Sequence, residues 1–115
     1  MELDNTTRDI MLLDIYGGLL TERQRSLIKM HLEEDLSLGE IAELEGISRQ
    51  GVRDCIVKGT AVMLKADKQL GLVKRELRLR GLLKDMQKSP SQEVAPFAQS
   101  LGDILEKSDG ESEQE

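Results

Sequence analysis

Six polar residues within eighteen positions, Ser48, Arg49, Gln50, Arg53, Lys58 and Lys65, are the side chains of this sequence best suited to a chemical task. The task their types suggest is recognition. An arginine guanidinium can grip guanine O6 and N7, or a phosphate, in two-pronged fashion, and a glutamine amide matches adenine N6 and N7. Lysine adds a point charge for the nucleic-acid backbone. Arg49, Gln50 and Arg53 are expected on the exposed N-terminal side of a helix whose Val52, Cys55 and Ile56 face inward, with Lys58 and Lys65 farther along. Ser48 is of the type that caps a helix start. The competing reading is a merely solvated helix face, the usual setting of charged side chains. Asp54, lying among these cations, would repel a phosphate.

Nothing comparable points to catalysis. The chain has one cysteine, Cys55, and one histidine, His31, so it can form neither an internal disulfide nor a Cys/His zinc cluster. It lacks a glycine-rich phosphate loop and a nucleophile beside a base, and its carboxylates are scattered over helix surfaces. The expectation is a protein that is not an enzyme and carries no metal or cofactor. Cys55 could act as a redox sensor, its thiolate stabilised by neighbouring cations, but a small packing residue between two helices is the stronger reading. His31 reads as a partly buried or charge-compensating residue near a helix end, not as a ligand or base.

The recognition residues need a frame, and Ser37 to Lys58 supplies one in the form of a helix-turn-helix. Ser37-Leu38-Gly39-Glu40 is a capping box opening a short helix that runs to about Glu45. Ile41 and Ala42 give it an apolar face with a small residue where a second helix crosses. Gly46 sits where the turn favours positive φ, and Ile47 plugs the angle. Ser48 then caps the second helix, whose Val52, Cys55 and Ile56 return the apolar face to the first. Ala42, Gly46 and Val52 stand at relative positions 1, 5 and 11, the spacing a steep helix crossing demands.

The rest of the chain reads as helix throughout, so the fold class is all-α. Asn5 to Tyr16 forms a first helix stopped by Gly17-Gly18, and the capping box Thr21-Glu22-Arg23-Gln24 opens a second with Leu27, Ile28, Met30 and Leu32 on its apolar side. The helix from Ser48 continues to Gly71 through inner positions Val52, Ile56, Met63, Ala66 and Leu70, weakened locally by Gly51 and Gly59. Leu72 to Met86 is a basic amphipathic helix. After it come Ser89-Pro90-Ser91 and Pro96, read as a linker, then a short helix around Phe97 to Leu105 and a disordered polar end from Ser108. The implied division is a helix-turn-helix domain over 1–88 and a linker with an acidic, largely disordered tail over 89–115.

Net charge argues against a nucleic-acid partner only on average. The 115 residues sum to −6, yet Ser48 to Lys88 holds 11 basic against 4 acidic residues, while Ser89 to Glu115 holds 1 against 7. A basic strip of +7 flanked by acid is the footprint of a chain with one phosphate-facing surface. The N-terminus lacks a basic start followed by an apolar block, and apolar runs are short, which predicts a cytoplasmic protein without a membrane span.

Three runs, Tyr16-Gly17-Gly18-Leu19-Leu20-Thr21, Glu34 through Ala42, and Ile47 through Val52, resemble the YlxM family of small bacterial proteins over about Ile10 to Leu72. The resemblance implies a helical domain similar to the promoter-reading fourth region of sigma factors. It also implies a regulator encoded beside the signal-recognition-particle GTPase. The family pattern carries onto Ser48, Arg49, Gln50, Val52, Asp54 and Ile56. Gly51, Arg53, Cys55 and Val57 stand where alanine, tyrosine, asparagine and lysine are expected, and His31 and Leu32 fill aromatic positions of the second helix.

Two functions follow as alternatives: a DNA-binding regulator reading a groove with Ser48 to Lys58, or an interaction protein that holds the signal-recognition-particle GTPase or its RNA. The helix over residues 72–86 either docks on the domain's own core or pairs with its copy in a homodimer through Leu72, Leu79 and Met86, with Leu82 and Leu83. Its Arg75, Arg78 and Arg80 are candidates for RNA backbone.

Overall fold

Three stop signals and three caps define the first four helices. The computed structural model describes residues 5–107, so the polar end beginning at Ser108 lies outside the described residues. Helix α1 spans Asn5–Tyr16 and passes into a single 3-10 turn at Gly17–Leu19. Helix α2, Glu22–Leu32, begins at a complete capping box: the Thr21 hydroxyl accepts from the Gln24 N–H at 3.1 Å, and the Thr21 N–H donates to Gln24 Oε1 at 3.0 Å. Helix α3, Leu38–Glu45, repeats the device with Ser37 and Glu40. Each such cap is worth about 1 kcal/mol.

The turn between α2 and α3 has a feature absent from the sequence reading. Asp35, one of the acidic residues ending α2, takes a left-handed φ of 61°. This conformation lets the Leu36 N–H reach back to the Met30 carbonyl at 3.1 Å and close the end of α2. His31 supports the same turn: its Nδ1 donates to the Leu36 carbonyl at 2.8 Å, so the histidine is a turn brace, neither buried ligand nor base.

Helix α4, Arg49–Leu70, is the longest element and packs against α1, α2 and α3. Leu27, Ile41, Ala42 and Val52 form a buried cluster where α2, α3 and α4 meet, and Ile47, Cys55 and Ile56 pack against it. Cys55 therefore sits as a packing residue of the helix pair. Leu12, Leu13, Tyr16, Ile28 and Met63 bury the other end of α4. Tyr16 donates its hydroxyl to Asp67 Oδ1 at 2.7 Å, tying the end of α1 to the last turns of α4. Leu70 departs from the expected inner row. It is 63% exposed and lies nearly a turn beyond that hydrogen bond.

Gly59 is the buried centre of α4, and its role is positive. A Cβ there would fall 2.7 Å from Ile28 Cδ1 and 3.3 Å from Gln24 Cβ, so the bare backbone lets α2 and α4 cross closely. The sequence shows only the propensity cost of this glycine.

The residues group into two compact units, the first ending at Gly71 and the second beginning at Leu72. The first holds α1 to α4. The second holds α5, Leu72–Lys88, and α6, Ala95–Lys107, which pack on each other. Helix α6 is longer than the sequence suggests and includes Pro96. Proline is tolerated there because first-turn N–H groups have no intrahelical partner. Ala98 and Leu105 are buried, and Leu83 Cδ2 lies 3.8 Å from where a Cβ on Gly102 would stand.

Candidate nucleic-acid interface

Helices α3 and α4 are joined by a tight turn. Gly46 closes α3 in the left-handed region at φ 70°, its N–H bonding the Ala42 carbonyl at 2.9 Å, and the Ile47 N–H bonds the same carbonyl at 3.1 Å. Ile47 then packs on the shared core. Ser48 is extended and caps α4, its Oγ accepting from the Gly51 N–H at 2.9 Å. The hydroxyl proton of Ser48 remains available to an outside acceptor.

The outward residues do not form one uniform face. Arg53, Lys58 and Lys65 are exposed and make no ion pair with any described residue. Gln50 is also exposed, but its Nε2 donates to Asp54 Oδ1 at 2.9 Å, one helical turn along. The two side chains thus act as a unit. The carboxylate that would repel a phosphate also orients the glutamine amide, leaving its carbonyl and second N–H for a partner. Glutamine and aspartate at i and i+4 are a known helical pair, so the spacing alone could have revealed it.

Arg49 points elsewhere. Its Nε and Nη2 lie 3.1 and 3.2 Å from where a Cβ on Gly39 would stand, placing the guanidinium across the start of α3. There it lines a shallow depression with Ser37, Gly39, Glu40 and Glu43. Arg49 is therefore set apart from Gln50 and Arg53, and Gly39 is the residue that admits it. No local sequence signal pairs these two positions.

Two further side chains escaped the sequence reading. Val57, which stands where the family resemblance expects lysine, is 49% exposed on α4, and Leu64, two turns farther along the same side, is 38% exposed. An exposed aliphatic residue on a helix entering a major groove can meet a thymine methyl group. In the second unit, Arg80 Nε bonds Glu76 Oε2 at 2.6 Å, so that arginine is held by its own helix, while Arg75 and Arg78 have no such partner.

A short helix crossed at a glycine turn by a longer one that is capped and cation-bearing defines a helix-turn-helix protein. The comparisons with known proteins agree. The family model described as "Putative helix-turn-helix protein, YlxM / p13 like" (UPF0122) matches residues 3–104, and the chain belongs to that family. A UPF0122 protein of Acetivibrio thermocellus is 43% identical over 88 residues, covering 73% of this chain and 75% of the relative. A UPF0122 protein of Bacillus licheniformis is 38% identical over 109 residues, covering 95% and 100%. The family is of a non-enzyme type. Among the described residues, no group of three or more His, Cys, Asp or Glu side chains could hold a metal ion, and no helix is long and apolar enough to cross a membrane.

Proposed function

We infer that this protein is a cytoplasmic DNA-binding regulator, with the N-terminal half of α4 as its recognition helix. The carrying observation is the exposed, unpaired set Arg53, Lys58 and Lys65 on a helix whose start is fixed by Gly46 and the Ser48 cap. Arg53 and the Gln50–Asp54 pair are the base readers in this reading, Ser48 and Arg49 meet the backbone at the start of the helix, and Lys58 and Lys65 neutralise phosphate. Selection of bound duplexes from a random pool at physiological salt tests it. An enriched motif is expected, and Arg53→Ala should relax it at one position at a cost of about 1–3 kcal/mol. Lys65→Ala should weaken all sequences alike and lower the salt slope by about 1. A pool that enriches no motif overturns the reading.

A two-fold site would need a dimer. Leu83 of α5 packs toward α6 and Met86 faces a depression shared with it, which leaves Leu82, Phe97 and Ile104, at 52, 68 and 64% exposure, as the residues for a homodimer seam. Basic α5 and the carboxylates Asp103 and Glu106 of α6 are complementary across such a seam. Light scattering of wild type against Ile104→Asp measures it, and a wild-type monomer at working concentration removes the dimer.

One observation favours a second reading. From Asn5 to Gly71 there are 9 basic and 11 acidic residues, a poor balance for a unit that binds DNA unaided. In that reading the protein holds the signal-recognition-particle GTPase or its RNA, the pathway that the family resemblance suggests. Affinity capture from a bacterial lysate that enriches neither component counts against it.

A further inference from the structure

The positive charge of this chain is concentrated where the helix-turn-helix is not. Helix α5 alone carries six basic residues against two acidic ones, whereas the unit containing α3 and α4 is net negative. Within α5 the charges are sorted by face. Leu83 and Met86 lie toward α6. At 100° per residue, Lys74, Gly81 and Lys88 recur every seven positions on the opposite side, with Arg78 and Lys84 flanking them. All four cations are exposed, and none is paired with a described residue. Arg80 and Glu76, which neutralise each other, stand off this row. One carboxylate, Asp85, lies on it.

Gly81 adds an independent observation. A Cβ there would meet nothing within 4 Å, so no packing demand explains a glycine in the middle of a helix. Its effect is to leave the backbone bare between the cations. At 1.5 Å per residue the row from Lys74 to Lys88 is about 21 Å long, a little over half of a duplex turn of about 34–36 Å.

We propose that the Lys74, Arg78, Lys84 and Lys88 face of α5 is a second nucleic-acid surface, binding the phosphate backbone of a duplex without reading its sequence. It supplies the charge neutralisation that the helix-turn-helix unit lacks, and so rests on the reading of this protein as a nucleic-acid binder. Proteins that neutralise phosphates lose affinity with salt at a slope of about 0.9 per contact on B-DNA.

The test uses the full chain, with mixed-sequence DNA and RNA duplexes of equal length as probes, titrated by fluorescence anisotropy over a salt series. The quadruple variant Lys74→Gln, Arg78→Gln, Lys84→Gln, Lys88→Gln should lower the salt slope on DNA by roughly 3.6 and weaken binding about a hundredfold at physiological salt. Glutamine is nearly as good a helix former as lysine or arginine, so helicity should be kept. Asp85→Asn should tighten binding several-fold, a gain that misfolding cannot imitate. A loss seen on DNA, on RNA or on both supports the proposal and tells which duplex the face prefers. Unchanged slope and affinity in the quadruple variant overturn it, as does wild-type protein that binds neither duplex. A parallel variant in α4, Arg53→Gln with Lys58→Gln and Lys65→Gln, separates the two readings. If only the α4 variant loses binding, the α5 surface falls and the helix-turn-helix reading stands. If only the α5 variant loses it, the reverse holds.

Discussion

Helices α4 and α5 are the two longest elements, 22 and 17 residues, and each carries a glycine near its middle, yet the two glycines do opposite things. Gly59 is buried against Ile28 and Gln24, where any side chain must displace a neighbour, while Gly81 faces open space. The difference extends to the helices. The buried side of α4 is held by three helices, and its outward side carries a mixed set of base-reading types. Helix α5 packs on α6 along one side and presents a row of like charges on the other. A helix built to read needs a rigid frame, because contacts to base edges tolerate little displacement. One built to attract phosphate needs only charge and access.

The comparison predicts unequal sensitivity to mutation. The largest effect should come from the core beneath the helix-turn-helix: Ile41→Ala empties a fully buried site at the α3–α4 crossing and should cost about 2–5 kcal/mol, measured by urea unfolding. Leu82→Ala on α5, half exposed, should stay within about 0.5 kcal/mol. Equal losses at the two positions would break the contrast.

Gly59→Leu comes next. It forces a branched side chain into the α2–α4 crossing, and overpacking of this kind costs about 1–3 kcal/mol despite the better helix propensity of leucine. Thermal unfolding checks it, and an unchanged midpoint would mean that the crossing is looser than the 2.7 Å approach implies.

These positions mark what the sequence could and could not disclose. The caps at Thr21, Ser37 and Ser48 and the turn at Gly46 were legible because the interactions are local: donor and acceptor lie within four residues of each other. Gly59 and the Arg49–Gly39 contact were not, since their meaning depends on what another helix brings opposite them. Pro96 looks like linker in the sequence because a proline generally breaks a helix, and only its place in the first turn of α6 reverses that. In the candidate site, the residue types of α4 were readable, but their directions were not. Arg49 turns to α3, and Gln50 is held by Asp54.

Ser48→Ala should cost about 1 kcal/mol of stability through the lost cap on the Gly51 N–H. Its effect on binding should be uniform over DNA sequences, because the serine fixes the start of α4 and contacts no base edge in the proposed reading. A change of base preference in competition assays would place Ser48 among the readers.

The smallest effect is also the one that bears most directly on α5. Gly81→Ala should stabilise α5 by about 0.5–1 kcal/mol, since alanine gains helix propensity and, on this geometry, meets no obstacle. Because α5 lies outside the unit that holds α1 to α4, the sensitive readout is local: amide exchange along α5 should slow up to about fivefold, with exchange in α4 unchanged. Faster exchange in α5 would mean that something lies against the backbone at Gly81. The two glycines would then be alike, both serving close packing, and the cation row of α5 would lose the open backbone that sets it apart from α4.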